Sequence, residues 1–172
     1  TFRDVFATLD DSLDLELETL VFESSDNRLR ETRYTQPAVF AVGVAAACAL
    51  ERRFDVDPTF LAGHSLGHFT ALAAAGAVSV DAGVELVAER GRLMQRAGEV
   101  DGPGTMVAVL LTDPAGVAEV WANYPAVSVA VYNGRRQTVV SGATDQVASV
   151  REGLAAEHTA RFEDLDVGTA FH

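Results

Sequence analysis

"FLAGHSLGHFTALAAAGA" spans residues 60–77 and sets Ser65 midway between Gly63 and Gly67, with a small-residue run after it. Two readings compete: an ordinary serine opening an Ala-rich helix, or a nucleophile on a sharp strand-to-helix turn. The second needs glycines where strand and helix pack too closely for side chains. It also predicts a central strand over "DPTFLAGH" and a helix over "SLGHFTALAAAGA". In that geometry the Leu66 N–H, at the helix start, faces a reacting carbonyl oxygen, where the helix dipole favours negative charge. Working outward, the expected fold class is α/β: a hydrolase-like core with a nucleophile elbow, plus a smaller subdomain.

Composition narrows the function classes. The chain has 172 residues and is 48% hydrophobic, enough for one sizeable core with a small second lobe. Its 25 acidic residues face 13 basic ones, all arginine, for a net charge of −12. No basic stripe exists to neutralise phosphates, so nucleic acid is not an expected partner. Cys48 is the only cysteine and reads as a packed small hydrophobe. The longest apolar stretch, Pro37 to Leu50, is short for a bilayer span, and "TFRDVFATLDD" does not resemble a signal sequence. No membrane, metal or bound cofactor is implied, and the expected location is cytoplasmic.

The first half reads as helices around one or two buried strands. "DVFATLDDSLDLELETLVF" is helical in patches, and a long helix follows Thr35, Gln36 and Pro37, with Pro37 in its first turn. Small and apolar residues nearly all round that helix predict burial on most sides. "VDAGVELVAERGRLMQRAGE" is an amphipathic helix ending near the Gly102, Pro103, Gly104 breaker. Beyond it, "TMVAVLL", "VSVAVYN", "QTVVSG" and "ARFEDLDV" read as strands, the middle pair joined around Gly134. Helices fit "DPAGVAEVWANY" and "ATDQVASVREGLAAEH". The order β-α-β-β-α-β is that of a ferredoxin-like unit over 104–166, between a core at 1–103 and a return to the core at 167–172.

A serine hydroxyl needs a base and oxyanion donors to act as a nucleophile. Of the four histidines, His172 lies at the end of the predicted last strand and is the candidate base. His158 reads as a helix-end cation, His68 as solvent-facing or lining the entrance, and His64 as fixing the turn with its side chain away from Ser65. Arg90, followed by Gly91, sits on the helix after the one Ser65 begins, where its planar fork suits a carboxylate; taken alone it reads equally as a solvated arginine pairing with Glu85 or Glu89. Arg92 and Arg96 read instead as solvated partners of nearby glutamates.

Five ordered blocks, "YTQPAVF" (34–40), "GHSLGH" (63–68), "ERGRLMQ" (89–95), "VYNGRRQTVVSG" (131–142) and "GTAFH" (168–172), resemble the family of malonyl-CoA:acyl carrier protein transacylases and polyketide synthase acyltransferase domains. The resemblance implies that Ser65 is acylated, that His172 is its base, and that Arg90 holds the carboxylate of a dicarboxylic acyl group. It places Gln36, His64, Asn133 and Phe171 around the acyl group. Phe171 before the histidine and Leu66 after the serine resemble malonyl-type sites. The implied reaction is ping-pong malonyl transfer from coenzyme A, a substrate and not a cofactor, to the phosphopantetheine thiol of an acyl carrier protein. The adjacent Arg135 and Arg136 are candidates for meeting that carrier's acidic helix.

Members of that family also carry a Gly-Gln-Gly strand ahead of this region and further strands beyond the histidine. The 172 residues therefore read as the middle of a longer enzyme. Alone they are expected to transfer weakly, since one lost oxyanion donor costs about 10²–10³ in rate. Two rivals remain: a serine hydrolase using Ser65, Asp164 or Asp166, and His172, or an inactive fragment.

Overall fold

The long apolar run after residue 31 forms one helix. In the computed structural model, which describes residues 2–13, 15–23, 27–102, 104–167 and 169–172, that helix is α3 (Thr32–Phe54). It follows α1 (Phe2–Ser12), α2 (Leu17–Phe22) and a 3₁₀ turn at Asn27–Arg30, and precedes α4 (Gly67–Ala74) and α5 (Val80–Asp101). The chain divides into two compact units, residues 1–94 and 95–172, a division that falls within α5. Pro103, part of the expected breaker, lies outside the described residues.

In the first unit Phe6 and Leu9 of α1, Leu17 and Leu20 of α2, Phe40, Ala41, Val44 and Ala45 of α3, and Val84 and Val87 of α5 form one core. Asp10 ties α1 to α2 by accepting the Leu17 N–H at 2.5 Å and so capping the incoming helix. Two expectations for α3 are corrected. It begins at Thr32, so Pro37 lies inside it, a full turn past the first. It buries one face, through Gln36, Pro37, Phe40, Ala41, Val44 and Ala45, while Val39, Val42 and Leu50 stay exposed on the rest. Burial follows the 3.6-residue period and not hydrophobicity alone.

The expected strand over 58–63 does not form. The backbone from Asp55 to Gly63 is irregular and its side chains are exposed, Phe60 to 91%. A strand exists only through a hydrogen-bonded neighbour, and among the described residues the first unit contains none.

The second unit holds every described strand: β1 (Gly104–Leu110), β2 (Val127–Gly134), β3 (Gln137–Ala143) and β4 (Arg161–Asp164), with α6 (Pro114–Trp121) and α7 (Thr144–Glu157) between them. The sheet order is β2-β3-β1-β4, every neighbouring pair antiparallel. Alternation along β1 sends Val107 and Val109 to a core with Val117 and Val120 of α6 and Val147, Val150 and Leu154 of α7. Met106 and Ala108 face the opposite side, with Val139, Val167 and Phe171. Asp113 accepts the Gly116 N–H at 2.9 Å and Pro114 opens the helix, which is why α6 starts where its sequence says. The β2–β3 turn centres on Arg135 and Arg136, because Gly134 is still paired, with Gln137.

Candidate functional site

Ser65 lies in the turn that leads into α4 and has a backbone φ of +50°. A serine is strained in this left-handed region, a cost that persists only where the surroundings enforce it. They do so here through Gly63. A Cβ at Gly63 would sit 2.0 Å from the carbonyl carbon and oxygen of Gly67 and 2.3 Å from the His68 nitrogen. Gly67 differs from the sequence expectation: a Cβ there meets nothing within 4 Å. The turn is closed by the His64 carbonyl accepting the Gly67 N–H at 2.8 Å and the Ser65 carbonyl accepting the His68 N–H at 3.2 Å. His64 thus fixes the turn through its backbone, and its side chain is exposed. The Leu66 N–H has no hydrogen-bond partner among the described residues and stands at the N-terminal end of α4, as an oxyanion donor must.

Arg90 of α5 donates from Nη2 to Ser65 Oγ at 3.3 Å and from Nη1 to Gln36 Oε1 at 2.5 Å. Gln36, on the buried face of α3, is 6% exposed and donates from Nε2 to Met94 Sδ at 3.2 Å. The Arg90 guanidinium lies 5.9 Å from the Phe69 ring centroid, within cation–π reach. Gly91 permits the approach of the two helices: a Cβ there would be 2.8 Å from the Thr32 carbonyl oxygen. Partial burial of Arg90 lowers its pKa from the usual guanidinium value through desolvation, and it keeps its charge. Arg92 pairs with Glu89 at 2.6 Å in solvent, as its sequence position suggested. The structure therefore gathers Ser65, Arg90 and Gln36, with N–H donors on Arg90 left for a carboxylate. Sequence reasoning assigned no role to Met94 or Phe69. For Met94 the signal was its position four residues after Arg90, one turn along the same helix face.

The remaining candidates belong to the second unit. His172 is exposed and has φ +60°. It does not end a strand: β4 stops at Asp164 and an irregular segment follows. Gly168 of the last sequence block lies outside the described residues. Thr169 and Ala170 pack so closely on Gly98 and Gly104 that Cβ atoms on those glycines would fall 2.6 and 2.7 Å away, which fixes the approach to His172. Phe171 packs beside Met106, Ala108 and Val139. Asn133, Arg135 and Arg136 are exposed on and after β2. His158 does end α7, but its Nε2 is buried without a partner among the described residues, so the ring packs and does not stand in solvent. Asp164 is engaged by Arg151 at 3.1 Å, which counts against its orienting a histidine.

A groove of about 750 Å³ in the first unit runs between α3, residues 56–61 and α4; Cys48, His68 and Phe60 line it and Ser65 does not. Among the described residues, no group of three or more His, Cys, Asp or Glu side chains could hold a metal ion, and no helix is long and apolar enough to cross a membrane.

The acyl transferase domain family matches residues 1–172, the whole chain. The chain belongs to that family. This acyl transferase domain is 36% identical over 173 residues to the polyketide biosynthesis protein ThaF of Burkholderia thailandensis, covering 99% of the chain and 15% of that protein. Among solved structures it resembles the malonyl-CoA:acyl carrier protein transacylase FabD of Xanthomonas oryzae pv. oryzae, at a TM-score of 0.93 and 36% identity, over 99% of the chain and 55% of that one. It also resembles a malonyl-transacylase solved in complex with its type II polyketide acyl carrier protein, PlMCAT:AntF, at 0.91 and 30%, over 98% of the chain and 55% of that one. The domain thus has the mixed α/β fold of those transacylases, with a small antiparallel sheet, and spans little more than half of the solved chains it matches.

Proposed function

We propose that this domain carries the acylation centre of a malonyl-CoA:acyl carrier protein transacylase serving fatty acid or polyketide synthesis in the cytoplasm. One observation carries the reading: a serine in a left-handed turn with Arg90 on its hydroxyl and Gln36 behind the guanidinium. A lipase or esterase has no use for a half-buried cation at its nucleophile, whereas a dicarboxylic acyl group has one.

In this reading Ser65 Oγ attacks the malonyl thioester carbonyl, and the imidazole of His172 takes the hydroxyl proton and passes it to the departing coenzyme A sulfur. The Leu66 N–H stabilises the oxyanion, and Arg90 turns its donors to the malonyl carboxylate. The carrier's phosphopantetheine thiol then gives its proton to His172 and attacks the seryl ester, and that proton returns to Ser65 Oγ. Asn133 and His64 flank the acyl group, and Phe171 fills the space a branched extender's methyl would need, a discrimination of about 1–3 kcal/mol. Arg135 and Arg136, exposed on the hairpin turn without an acidic partner among the described residues, meet the carrier's acidic helix. The second unit, with its β-α-β-β-α-β order, serves as a ferredoxin-like subdomain, and the first as part of a hydrolase-like core.

A chase experiment tests this. Protein loaded from malonyl-CoA and then given carrier should lose its label to the carrier thiol; release as free malonate at the same rate with and without carrier would favour a hydrolase. Replacing Arg135 and Arg136 together by Glu should slow the chase and spare the loading. Equal loss in both steps would refute the carrier assignment.

A further inference from the structure

The amide of Gln36 has two unlike ends, and only one of them suits Arg90. With Oε1 toward the guanidinium, the carbonyl accepts from Nη1 at 2.5 Å and the NH₂ group must find an acceptor in the interior. That acceptor is Met94 Sδ, 3.2 Å from Nε2. Turned the other way, the amide would set NH₂ against the guanidinium and oxygen against sulfur, losing both contacts. Gln36 is 6% exposed, so water does not readily replace either partner.

Resting on the malonyl-transfer reading above, we propose that Met94 is a positioning residue. Its thioether holds the buried Gln36 amide with the carbonyl toward Arg90, and so pre-orients the guanidinium for a carboxylate-bearing acyl group. Arg90 and Met94 lie one turn apart on α5, both meeting Gln36 of α3, so one side chain reads two positions of the facing helix. An aliphatic residue would fill the same space. Only the sulfur gives Nε2 somewhere to donate.

Met94→Leu keeps the volume and removes the acceptor, a swap that packing tolerates. The expected result is a rise in KM for malonyl-CoA of roughly three- to tenfold, the size of effect that the net loss of one hydrogen bond produces. Acylation by acetyl-CoA, which has no distal carboxylate, should be unchanged. Met94→Gln, which offers an oxygen at similar reach, should restore the malonyl KM. Solvent exchange of the Gln36 side-chain NH₂ hydrogens, read by NMR without substrate, should be slow in the wild type, faster in Met94→Leu and slow again in Met94→Gln. Equal losses with malonyl- and acetyl-CoA would mean that Met94 only packs, and would overturn the inference. So would a Met94→Leu protein indistinguishable from wild type in KM and exchange. A wild-type protein that takes no malonyl at all fails the functional reading first and this inference with it; one that takes malonyl normally while Met94→Leu matches it fails the inference alone.

Discussion

Two stretches with the same apolar, turn-bounded character end differently. "GTMVAVL" (104–110) becomes β1, paired along its length with β3 and over its second half with β4. "PTFLAG" (58–63) stays irregular, and Phe60 is 91% exposed. The difference lies in what the rest of each unit supplies. For β1 the partners arrive from 137–143 and 161–164 within the same compact unit, and α6 and α7 cover one face. Residues 58–63 share a unit with helices alone among the described residues. Hydrophobic patterning chooses a strand only where another strand is on hand to pair with it. The elbow at Ser65 forms nonetheless, because its geometry is set by Gly63 against Gly67 and by hydrogen bonds within four residues.

The contrast predicts that the elbow and the sheet fail separately, each within its own unit, and four variants test it. Ser65→Ala should abolish acylation, on the order of 10⁴-fold or more, with both units' amide exchange unchanged; residual acylation near wild-type rate would move the nucleophile elsewhere. Gly63→Ala should cost about 4 kcal/mol or more, since the new methyl meets backbone that cannot swing away. Hydrogen exchange should then report lost protection in α4, with the amides of β1 and β3 still protected. Leu154→Ala should do the reverse, loosening β1, β3 and α7 by about 2–5 kcal/mol, with Ser65 acylation by malonyl-CoA retained. Gly67→Ala, with open space around it and a helical backbone, should change stability by less than about 1 kcal/mol. Thermal melts that put Gly63→Ala and Gly67→Ala on the same footing would show that the elbow is not held as described.

Much of this was legible in the residues. The elements of the second unit could be read because period-2 alternation, Asp113 with Pro114, and short connections all point to local solutions. Ser65, Arg90 and Gln36 could be picked out, the last two on the strength of their sequence blocks. What the sequence concealed depended on tertiary context. Pro37 sits inside α3 although proline usually marks a first turn. The two glycines beside Ser65 look equivalent in the motif, yet only one meets backbone. His158 resembles a helix-end cation by position, yet packing against Gly116 buries its Nε2. Met94 drew no reading because its partner lies 58 residues away in the chain.

Peptide mapping after brief exposure to malonyl-CoA tests most directly the claim that Ser65 is a nucleophile poised under Arg90. The malonyl group should be found on the peptide that contains Ser65, be absent from Ser65→Ala, and be sharply reduced in Arg90→Ala. A malonyl group attached at any other residue, or undiminished loading in Arg90→Ala, would contradict the account.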